Sequence, residues 1–299
     1  MTFHPFFHSP AWFSALQQGF KADSLQIPLD TPLAFTLFRA GPFRLAYANF
    51  PIGLVTSQET LALTTPDVAD FLRSHGAQIL NFSTPHKINN MSDFKGICLP
   101  ETLIENLEDW EESRLAADVR YEVRRSRREG LQFRKATIQD SKYLYSFYKD
   151  TIARHSGKIR YTLQYFQALT TLAEHDPNLY CRIGIPANRD EPCAFIAIVY
   201  DGDTAYYLHG GYDARYAHLR SGYGLMSLAI AHARDHGCKV FNLMASPVDQ
   251  PTLIKFKEKW GGETRQIITY REPLNFAGKL LIVALHWRDH FYKSFKVNQ

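Results

Sequence analysis

The sequence AYYLHGGYDARYAHLRSGYGLMSLAIAHARDHGCKVFNLM, residues 205–244, contains the pattern on which the fold assignment depends. Its alternating aromatic and small residues predict a strand over 204–211. Residues 222–237 have the apolar spacing of a helix, and the apolar run 239–244 predicts a second strand. Strand, helix and strand in this order bring a helix N-terminus, with its unpaired N–H groups, to a sheet edge. Residues 219–226 are therefore expected to form a loop that turns into this helix.

A lysine-rich helix is predicted over residues 251–260, directly after this second strand. Its apolar residues recur at the spacing of one helix face, which is expected to be buried; these are Leu253, Phe256 and Trp260. Its lysines are expected to point elsewhere, either as a solvated face or toward a ligand; these are Lys255, Lys257 and Lys259.

The same order of elements is predicted in both halves of the chain. In the first half, helices and strands are expected over 9–20, 33–40, 43–50, 67–74, 77–82 and 94–99. A long helix over 107–129 is expected to join the halves. In the second half, further elements are expected over 131–136, 139–154, 162–174, 179–185, 193–201, 263–270 and 276–295.

Several segments, taken together, resemble the FemAB-like branch of the GCN5-related N-acetyltransferase (GNAT) superfamily, which includes BioF2-like acetyltransferase domains. They are SPAWFSAL, VRYEVRRSRREGLQFRKA, SFYKDTIARHSGKIRYTLQYFQAL, LIKFKEKWGG and the stretch 205–244. The resemblance implies an α+β fold of tandem GNAT-like domains, each a mixed, mostly antiparallel sheet flanked by helices. Domain boundaries are expected at 1–115 for a degenerate unit and 116–299 for a catalytic unit.

The resemblance implies an acyltransferase that moves an acyl or aminoacyl group to an amine of a small molecule or cell-envelope precursor. Either acyl-CoA or aminoacyl-tRNA is the expected co-substrate, and no tightly bound cofactor is expected. GNAT enzymes carry a Q/R-x-x-G-x-G/A signature, whose main-chain N–H groups bind the pyrophosphate of coenzyme A. The segment LRSGYGLM, residues 219–226, matches part of this signature through Gly222 and Gly224. Leu219 occupies the Q/R position, so Arg220 and Arg215 are the cations expected to bind the donor.

Lys257 belongs to the FK pair whose lysine, by the resemblance, stabilises the oxyanion of acyl transfer. Tyr207 and Tyr223 are candidate proton donors to the leaving group. His209 is a candidate base, or a hydrogen-bonded structural residue. Strict alternation along strand 204–211 predicts that Tyr207, His209 and Gly211 share one face. Ser246 and Lys255 are also expected to bind substrate or donor.

Arginines recur at four-residue spacing on the predicted joint helix, at positions 120, 124 and 128. Of these, Arg124 and Arg128 are expected to bind phosphates of tRNA or of a nucleotide-linked acceptor. The alternatives are a solvated helix face or a non-catalytic GNAT-fold binder of nucleic acid or another anionic ligand.

Charge and composition limit the function classes. Up to Arg114 the chain has 7 Lys and Arg against 12 Asp and Glu, and the remainder has 27 against 18, so the second half is expected to meet anions. The 4 cysteines form no CxxC pair, and two HxxxH pairs, at 232/236 and 286/290, lack a third ligand, so no metal site is expected.

Neither a signal peptide nor a membrane span is apparent, which predicts a cytoplasmic protein. The amphipathic last helix is expected either to dock on the protein or to contact a membrane surface peripherally.

Overall fold

The computed structural model describes residues 5–27, 29–30, 32–88, 96–154, 157–187 and 189–285. The strands are β1 (Asp23–Ile27), β2 (Leu33–Ala40), β3 (Phe43–Ala48), β4 (Ile79–Thr84), β5 (Ile97–Ile104), β6 (Gln132–Lys135), β7 (Leu179–Ile185), β8 (Ala194–Asp201), β9 (Thr204–Tyr212), β10 (Val240–Ala245) and β11 (Glu263–Pro273). The α-helices are α1 (Pro10–Phe20), α2 (Ser57–Leu63), α3 (Pro66–Ser74), α4 (Ala117–Arg128), α5 (Ser141–Arg154), α6 (Leu163–His175), α7 (Ser221–Asp235) and α8 (Pro251–Glu258). A last helix, α9, is described over 276–285.

Two compact units divide the chain, and both are discontinuous in sequence. The first combines Met1–Lys21 with Leu99–Gln266, and the second combines Ala22–Cys98 with Ile267–Gln299. These limits differ from the expected boundary at 115/116 because α1 packs on α6 within the first unit. The hydroxyl of Thr162 donates to the carbonyl of Gly19 at 2.7 Å and ties the two helices together.

The sheet of the first unit has the strand order β5-β10-β9-β8-β7-β6. Its neighbouring strands are antiparallel except for β9 and β10, which are parallel. One apolar core lies between this sheet and helices α4 and α7, and it includes the fully buried Trp260. The face with α1, α5 and α6 is packed mainly by aromatic rings, among them Trp12 and Tyr165.

Strands β9 and β10 pair over only a short stretch and then diverge. The register couples Val240–Asn242 of β10 with Thr204–Tyr206 of β9 and continues no further in the described strands. Because β9 extends to Tyr212, its second half has no partner on that side. The sheet is therefore open beside the second half of β9.

The second unit has its own sheet, in which β1, β2, β3, β4 and the end of β11 lie side by side. All its pairs are antiparallel except β3 with β4. Helices α2 and α3 help to enclose its core, which includes Phe35 and Phe82. Both sheets are thus mixed and mostly antiparallel with flanking helices, as the α+β assignment predicted.

The long helix expected over 107–129 is wrong for its first ten residues, 107–116. The chain instead forms short 3-10 turns at Leu107–Asp109 and Glu112–Arg114, and α4 begins at Ala117. Trp110 accounts for the interruption, because its buried indole N–H donates to the carbonyl of Trp260 at 3.1 Å. A continuous helix would not leave this side chain free to reach the core.

Helix α9 confirms the start of the expected last helix, and the remainder of that prediction lies outside the described residues. Ile282 is buried, and a side chain at Gly278 would collide with the carbonyl oxygen of Gln78. The opposite face leaves Phe276, Leu280 and Val283 exposed. Among the residues described, no helix has the length and apolar content that crossing a bilayer requires.

Candidate active site

A cavity of about 390 Å³ lies where β9 ends and α7 begins. Its walls come from β8, the half of β9 that does not pair with β10, the segment 217–226 that includes the start of α7, the end of α5 and one residue of α8, Phe256. The volume lies within the usual range for a ligand site. The cavity therefore lies beside the part of β9 that no longer pairs with β10.

A β-bulge in β9 decides which side chains face this cavity. The register with β8 moves by one residue between the pairs Ala197 with His209 and Ile198 with Tyr207, which leaves Leu208 as the extra residue. Tyr207 consequently lines the cavity, whereas His209 packs among the rings of α5 and α6. The expectation that Tyr207 and His209 share a face is wrong, because strict alternation does not survive a bulge.

Two glycines follow His209, and each makes room for a different neighbour. A Cβ at Gly210 would lie 2.1 Å from the hydroxyl oxygen of Tyr207. A Cβ at Gly211 would lie 2.8 Å from the main-chain oxygen of Phe147 on α5. The first glycine thus lets a tyrosine lie along the cavity wall, and the second lets a helix approach the sheet.

Tyr207 and Tyr223 bring two phenol groups to the cavity. No hydrogen bond to either hydroxyl is found within the described part of the chain. Burial raises the pKa of Tyr207 to about 12 and also raises the pKa of Tyr223. Both phenols therefore keep their protons at neutral pH and are able to donate them.

The start of α7 supplies positive electrostatic potential to the same cavity. Arg220 precedes the helix in a left-handed conformation (φ 55°), and Gly222 follows in open space, with no atom within 4 Å of an added Cβ. The first N–H groups of a helix have no intrahelical partners and attract anions. Arg220 is itself paired with Glu122, with 3.0 Å between Nε and Oε2.

Arg154, at the end of α5, is a cavity residue that the sequence analysis did not single out. Its guanidinium lies over the ring of Tyr212, 4.4 Å from the centroid, and donates to the hydroxyl of Thr151 at 2.9 Å. The segment TIARHSG that contains it was part of the family resemblance, which was the available signal. Arg154 and Arg220 together give the cavity two cations.

Lys257 occupies a second, more enclosed position beside the end of β10. Only 7% of it is exposed, and its ammonium donates to the carbonyl oxygens of Met244 at 2.8 Å and Ala245 at 3.2 Å. Burial lowers its pKa to about 8, and the nearby Glu101 opposes this change. The expectation that all three lysines of α8 point away from the buried face is therefore wrong for Lys257. The adjacent Ser246 is buried, and its Oγ has no hydrogen-bond partner in the described structure.

His209 does not reach the cavity, although it was a candidate base. Its Nε2 lies 2.9 Å from the hydroxyl of Tyr165, and the rings of Tyr148, Tyr161 and Phe166 surround it. Burial lowers its pKa to about 3, so it is neutral at physiological pH. This environment fits the structural alternative rather than proton transfer with a substrate.

Other candidates also lie away from the cavity. Arg215 is an exposed residue paired with Asp213, and the carboxylate holds the pKa of the guanidinium above its usual range. Gly224 is a packing residue, since a Cβ there would lie 2.6 Å from the hydroxyl of Ser126 on α4. Lys255, Arg124 and Arg128 are exposed.

The described residues contain no cluster of three or more His, Cys, Asp or Glu side chains arranged to hold a metal ion. His232 instead lies 2.8 Å, through Nδ1, from the hydroxyl of Tyr200, and Tyr200 stacks on His236. The second HxxxH pair, at 286 and 290, lies outside the described residues.

Comparison with known proteins assigns a family to the part of the chain that forms the cavity. Residues 113–251 match the family model of the acetyltransferase (GNAT) domain. This part of the chain is a GNAT acyltransferase domain. The matched segment includes all of β9, α7 and β10, together with every residue that lines the cavity except Phe256.

The whole chain shares its fold with several solved structures. FemX superposes with a TM-score of 0.63 at 12% identity over 87% of this chain and 90% of FemX. L-PGS from Bacillus licheniformis superposes with a TM-score of 0.58 at 13% identity, over 91% of this chain and 90% of L-PGS. The C-terminal domain of a putative lysylphosphatidylglycerol synthetase from Agrobacterium fabrum superposes with a TM-score of 0.56 at 14% identity. The match covers 90% of this chain and 88% of that domain. The likeness to FemX confirms the FemAB-like assignment at the level of the fold. No curated protein matches the chain.

Proposed function

We propose that the protein transfers an acyl or aminoacyl group from an activated donor to an amine in the cavity between β9 and α7. The observation that carries this proposal is the divergence of β9 and β10 beside the N-terminus of α7. An opened strand leaves main-chain groups for a substrate amide, and a helix N-terminus favours a phosphate. The two features meet in one cavity of the GNAT domain.

The chemistry requires a bond between the amine nitrogen and the donor carbonyl carbon, through a tetrahedral intermediate. The bond from that carbon to the leaving sulfur or oxygen then breaks, and a proton from the amine is matched by one gained by the leaving group. Tyr207 and Tyr223 are the candidate donors of that proton, because their raised pKa values keep both phenols protonated. The proton lost by the nitrogen returns to the phenol directly or through water.

Lys257 is the candidate for stabilising the oxyanion of this intermediate. Its neighbour Phe256 lines the cavity, and its ammonium lies at the end of β10 beyond the divergence. With a pKa of about 8, it is mostly protonated at neutral pH and can face negative charge. Removing one such stabilising donor typically lowers kcat by about 10²–10³.

The donor is an acyl-CoA or an aminoacyl-tRNA, since both carry phosphates that suit Arg154, Arg220 and the first turn of α7. Lysylphosphatidylglycerol synthetases have the same fold, which supports an aminoacyl group. Stabilisation against heat by acetyl-CoA, but not by uncharged tRNA, would assign the first donor. The reverse result would assign the second, with Arg124 and Arg128 as further phosphate contacts.

The acceptor is expected to be a small-molecule or cell-envelope precursor with a free amine. A peripheral membrane contact through α9 would bring a lipid-linked acceptor close. Phe276 and Leu280 are 74% and 56% exposed, and Lys279 lies beside them. An apolar face flanked by basic residues is typical of an interfacial helix.

Sedimentation with phosphatidylglycerol vesicles tests this contact. The double variant F276S/L280S should lose vesicle binding. Leu61→Ser, which removes a leucine of α2 that is 72% exposed, is the matched control and should retain it. Equal binding by both variants, or no binding by the unaltered protein, would refute the membrane contact.

The transfer reaction itself is tested with Tyr207→Phe, Tyr223→Phe and the double variant, using the donor that stabilises the protein and a panel of amines. Each single change should reduce kcat by roughly 10-fold or more, because general acid catalysis contributes about 10²–10⁴. Tyr145→Phe on α5 is the control. Unaltered turnover in the double variant would remove this cavity as the site.

A non-catalytic binder of nucleic acid or another anionic ligand is the competing function. It is favoured by Arg124 and Arg128, which are exposed and have no ion-pair partner in the described part of the chain. Steeply salt-dependent RNA binding without transfer from either donor would support it.

A further inference from the structure

A buried polar cluster lies where β10 leaves β9, and the proposed chemistry has not yet used it. Glu101 on β5 is fully buried, and Asn242 on β10 is 1% exposed. The Nδ2 group of Asn242 donates to Oε1 of Glu101 at 2.9 Å, and Nε of Arg265 donates to Oε2 at 3.0 Å. A buried carboxylate requires such partners. The charge of Glu101 is therefore held in one place.

The orientation of the Asn242 amide follows from this contact. A carboxylate only accepts hydrogen bonds, so the NH₂ group must face Glu101 and the amide oxygen must face away. That oxygen accepts from the N–H of Met244 at 2.7 Å. Asn242 is also the last residue of β10 in register with β9. Its side chain thus binds a main-chain N–H just beyond the end of the pairing.

The main chain turns sharply just beyond Asn242, at the N–H group of Met244 that the Asn242 side chain binds. Met244 has φ 66°, a left-handed conformation that non-glycine residues seldom adopt. The pairing with β5 is also irregular between Asn242 and Ala245, which lies opposite Glu101. In this turn the carbonyl oxygens of Met244 and Ala245 both accept from the ammonium of Lys257. The contacts form one path from Arg265 to Lys257.

We propose that Asn242 and Glu101 are positioning residues, which keep the end of β10 away from β9 and hold the ammonium of Lys257 in the place from which it acts. Asn242 acts through the main chain of Met244. Glu101 acts by fixing the Asn242 amide and by its negative charge. This proposal rests on the proposed function of Lys257, and neither residue is assigned a contact with substrate.

The direct test measures the protonation of Lys257 by competitive labelling with acetic anhydride, from about pH 6 to about pH 11, read by peptide mass spectrometry. Lys255 on the same helix is the internal reference. Glu101 is the charged side chain that acts on Lys257, and Arg265 pairs with Glu101. The unaltered protein should give a midpoint near the pKa of about 8.

Two variants should move this midpoint in opposite directions. Asn242→Ala should raise it, because the released ammonium becomes solvated. Glu101→Gln should lower it, because a negative charge beside a buried cation is lost. General loosening of the fold would raise the midpoint in both variants. Asn242→Ser, whose hydroxyl retains one hydrogen bond, should give a smaller rise and serves if Asn242→Ala does not fold.

Thr264→Val is the matched control. It removes a hydroxyl next to Arg265 that lies 3.1 Å from Thr102 Oγ1 and donates to Glu258, outside the path to Lys257. Its labelling midpoint should equal that of the unaltered protein. Midpoints that stay unchanged, or move together, in the Asn242 and Glu101 variants would overturn the proposal.

A transfer assay separates this proposal from the proposed function. In Glu101→Gln the alkaline loss of activity should begin at lower pH, because the Lys257 cation is lost sooner. If Lys257→Ala retains full activity, the role of Lys257 in transfer fails, whereas the labelling result still decides the positioning. If Lys257→Ala is inactive but the labelling midpoint of Lys257 is unchanged in the Asn242 and Glu101 variants, only the positioning proposal fails.

Discussion

His209 and Lys257 are two buried bases of the same unit, and they show how partners decide what burial does. His209 lies among aromatic rings with one phenol partner, and burial lowers its pKa to about 3. Lys257 lies against two carbonyl oxygens with a carboxylate nearby, and its pKa is lowered only to about 8. At neutral pH the histidine is therefore uncharged and the lysine is mostly charged. Only the second can stabilise an anion.

The largest expected effect separates these two residues by activity. Lys257→Met should reduce kcat/KM for transfer by about 10²–10³, because the cation is removed from the oxyanion. His209→Gln should stay within a few fold of the unaltered enzyme, because the His209 imidazole is uncharged and enclosed by aromatic rings. Steady-state kinetics with the stabilising donor measures both.

Thermal unfolding provides the control for this pair of variants. His209→Gln should lower the free energy of unfolding by about 1–3 kcal/mol, because a well-packed buried ring is replaced. A histidine variant that folds normally but loses as much activity as Lys257→Met would break the distinction.

Adjacent glycines of β9 allow the next test, since each serves a different face of the strand. Gly210→Ala should displace the hydroxyl of Tyr207 and reduce transfer several-fold, because that oxygen is the nearest atom to the new Cβ. Gly211→Ala should instead destabilise the fold by about 1–3 kcal/mol, because its neighbour is the main chain of α5.

Activity and unfolding measured on both glycine variants distinguish the two effects. Loss of activity without loss of stability is expected only for Gly210→Ala. The same profile for both substitutions would mean that the two faces of β9 are not functionally separate.

The pH dependence of unfolding should show two separate windows. The unfolded chain binds a proton at His209 between about pH 6.5 and 3 that the folded protein does not, so stability falls as pH drops through this range. At Lys257 the unfolded chain likewise binds a proton that the folded protein does not, between about pH 10.5 and pH 8. Stability therefore rises with pH in this range as well. Urea unfolding at each pH measures both slopes.

Variants assign each window to its residue. His209→Gln should flatten the acidic slope alone, and Lys257→Met the alkaline slope alone. An acidic slope that persists in His209→Gln would show that other groups control acid unfolding.

The smallest effect is expected for Lys259, two residues after Lys257. Its ammonium pairs with Asp118 at the surface, and the carboxylate raises the pKa of the lysine. Exposed ion pairs contribute little to stability. Lys259→Ala should therefore keep the thermal midpoint and transfer rate of the unaltered protein. A clear loss of transfer would extend the site along α8.

Several elements could be predicted from local sequence because their signals are local. Ser9 caps α1 through a hydrogen bond from the N–H of Trp12 at 3.2 Å, and Pro10 occupies the first turn, as the sequence indicates. Strand β7 coincides with the predicted range 179–185. In contrast, α2 and β1 were missed, since each is short and has a weak apolar pattern.

The candidate site was predicted less completely than the fold. Tyr207, Arg220, Gly222 and Tyr223 do line one cavity. The face on which His209 lies was predicted wrongly, because the bulge at Leu208 depends on pairing with β8, which no local pattern reveals.

The sequence by itself determined the order of most strands and helices, the glycine-containing start of α7 and the apolar face of α8, because periodicity and turn chemistry act over a few residues. Tertiary structure alone decided that β10 leaves β9 after Asn242 and that Lys257 is buried on the freed carbonyl groups. Both outcomes require partners far apart in sequence. Glu101 lies 141 residues from Asn242 and is bonded to it.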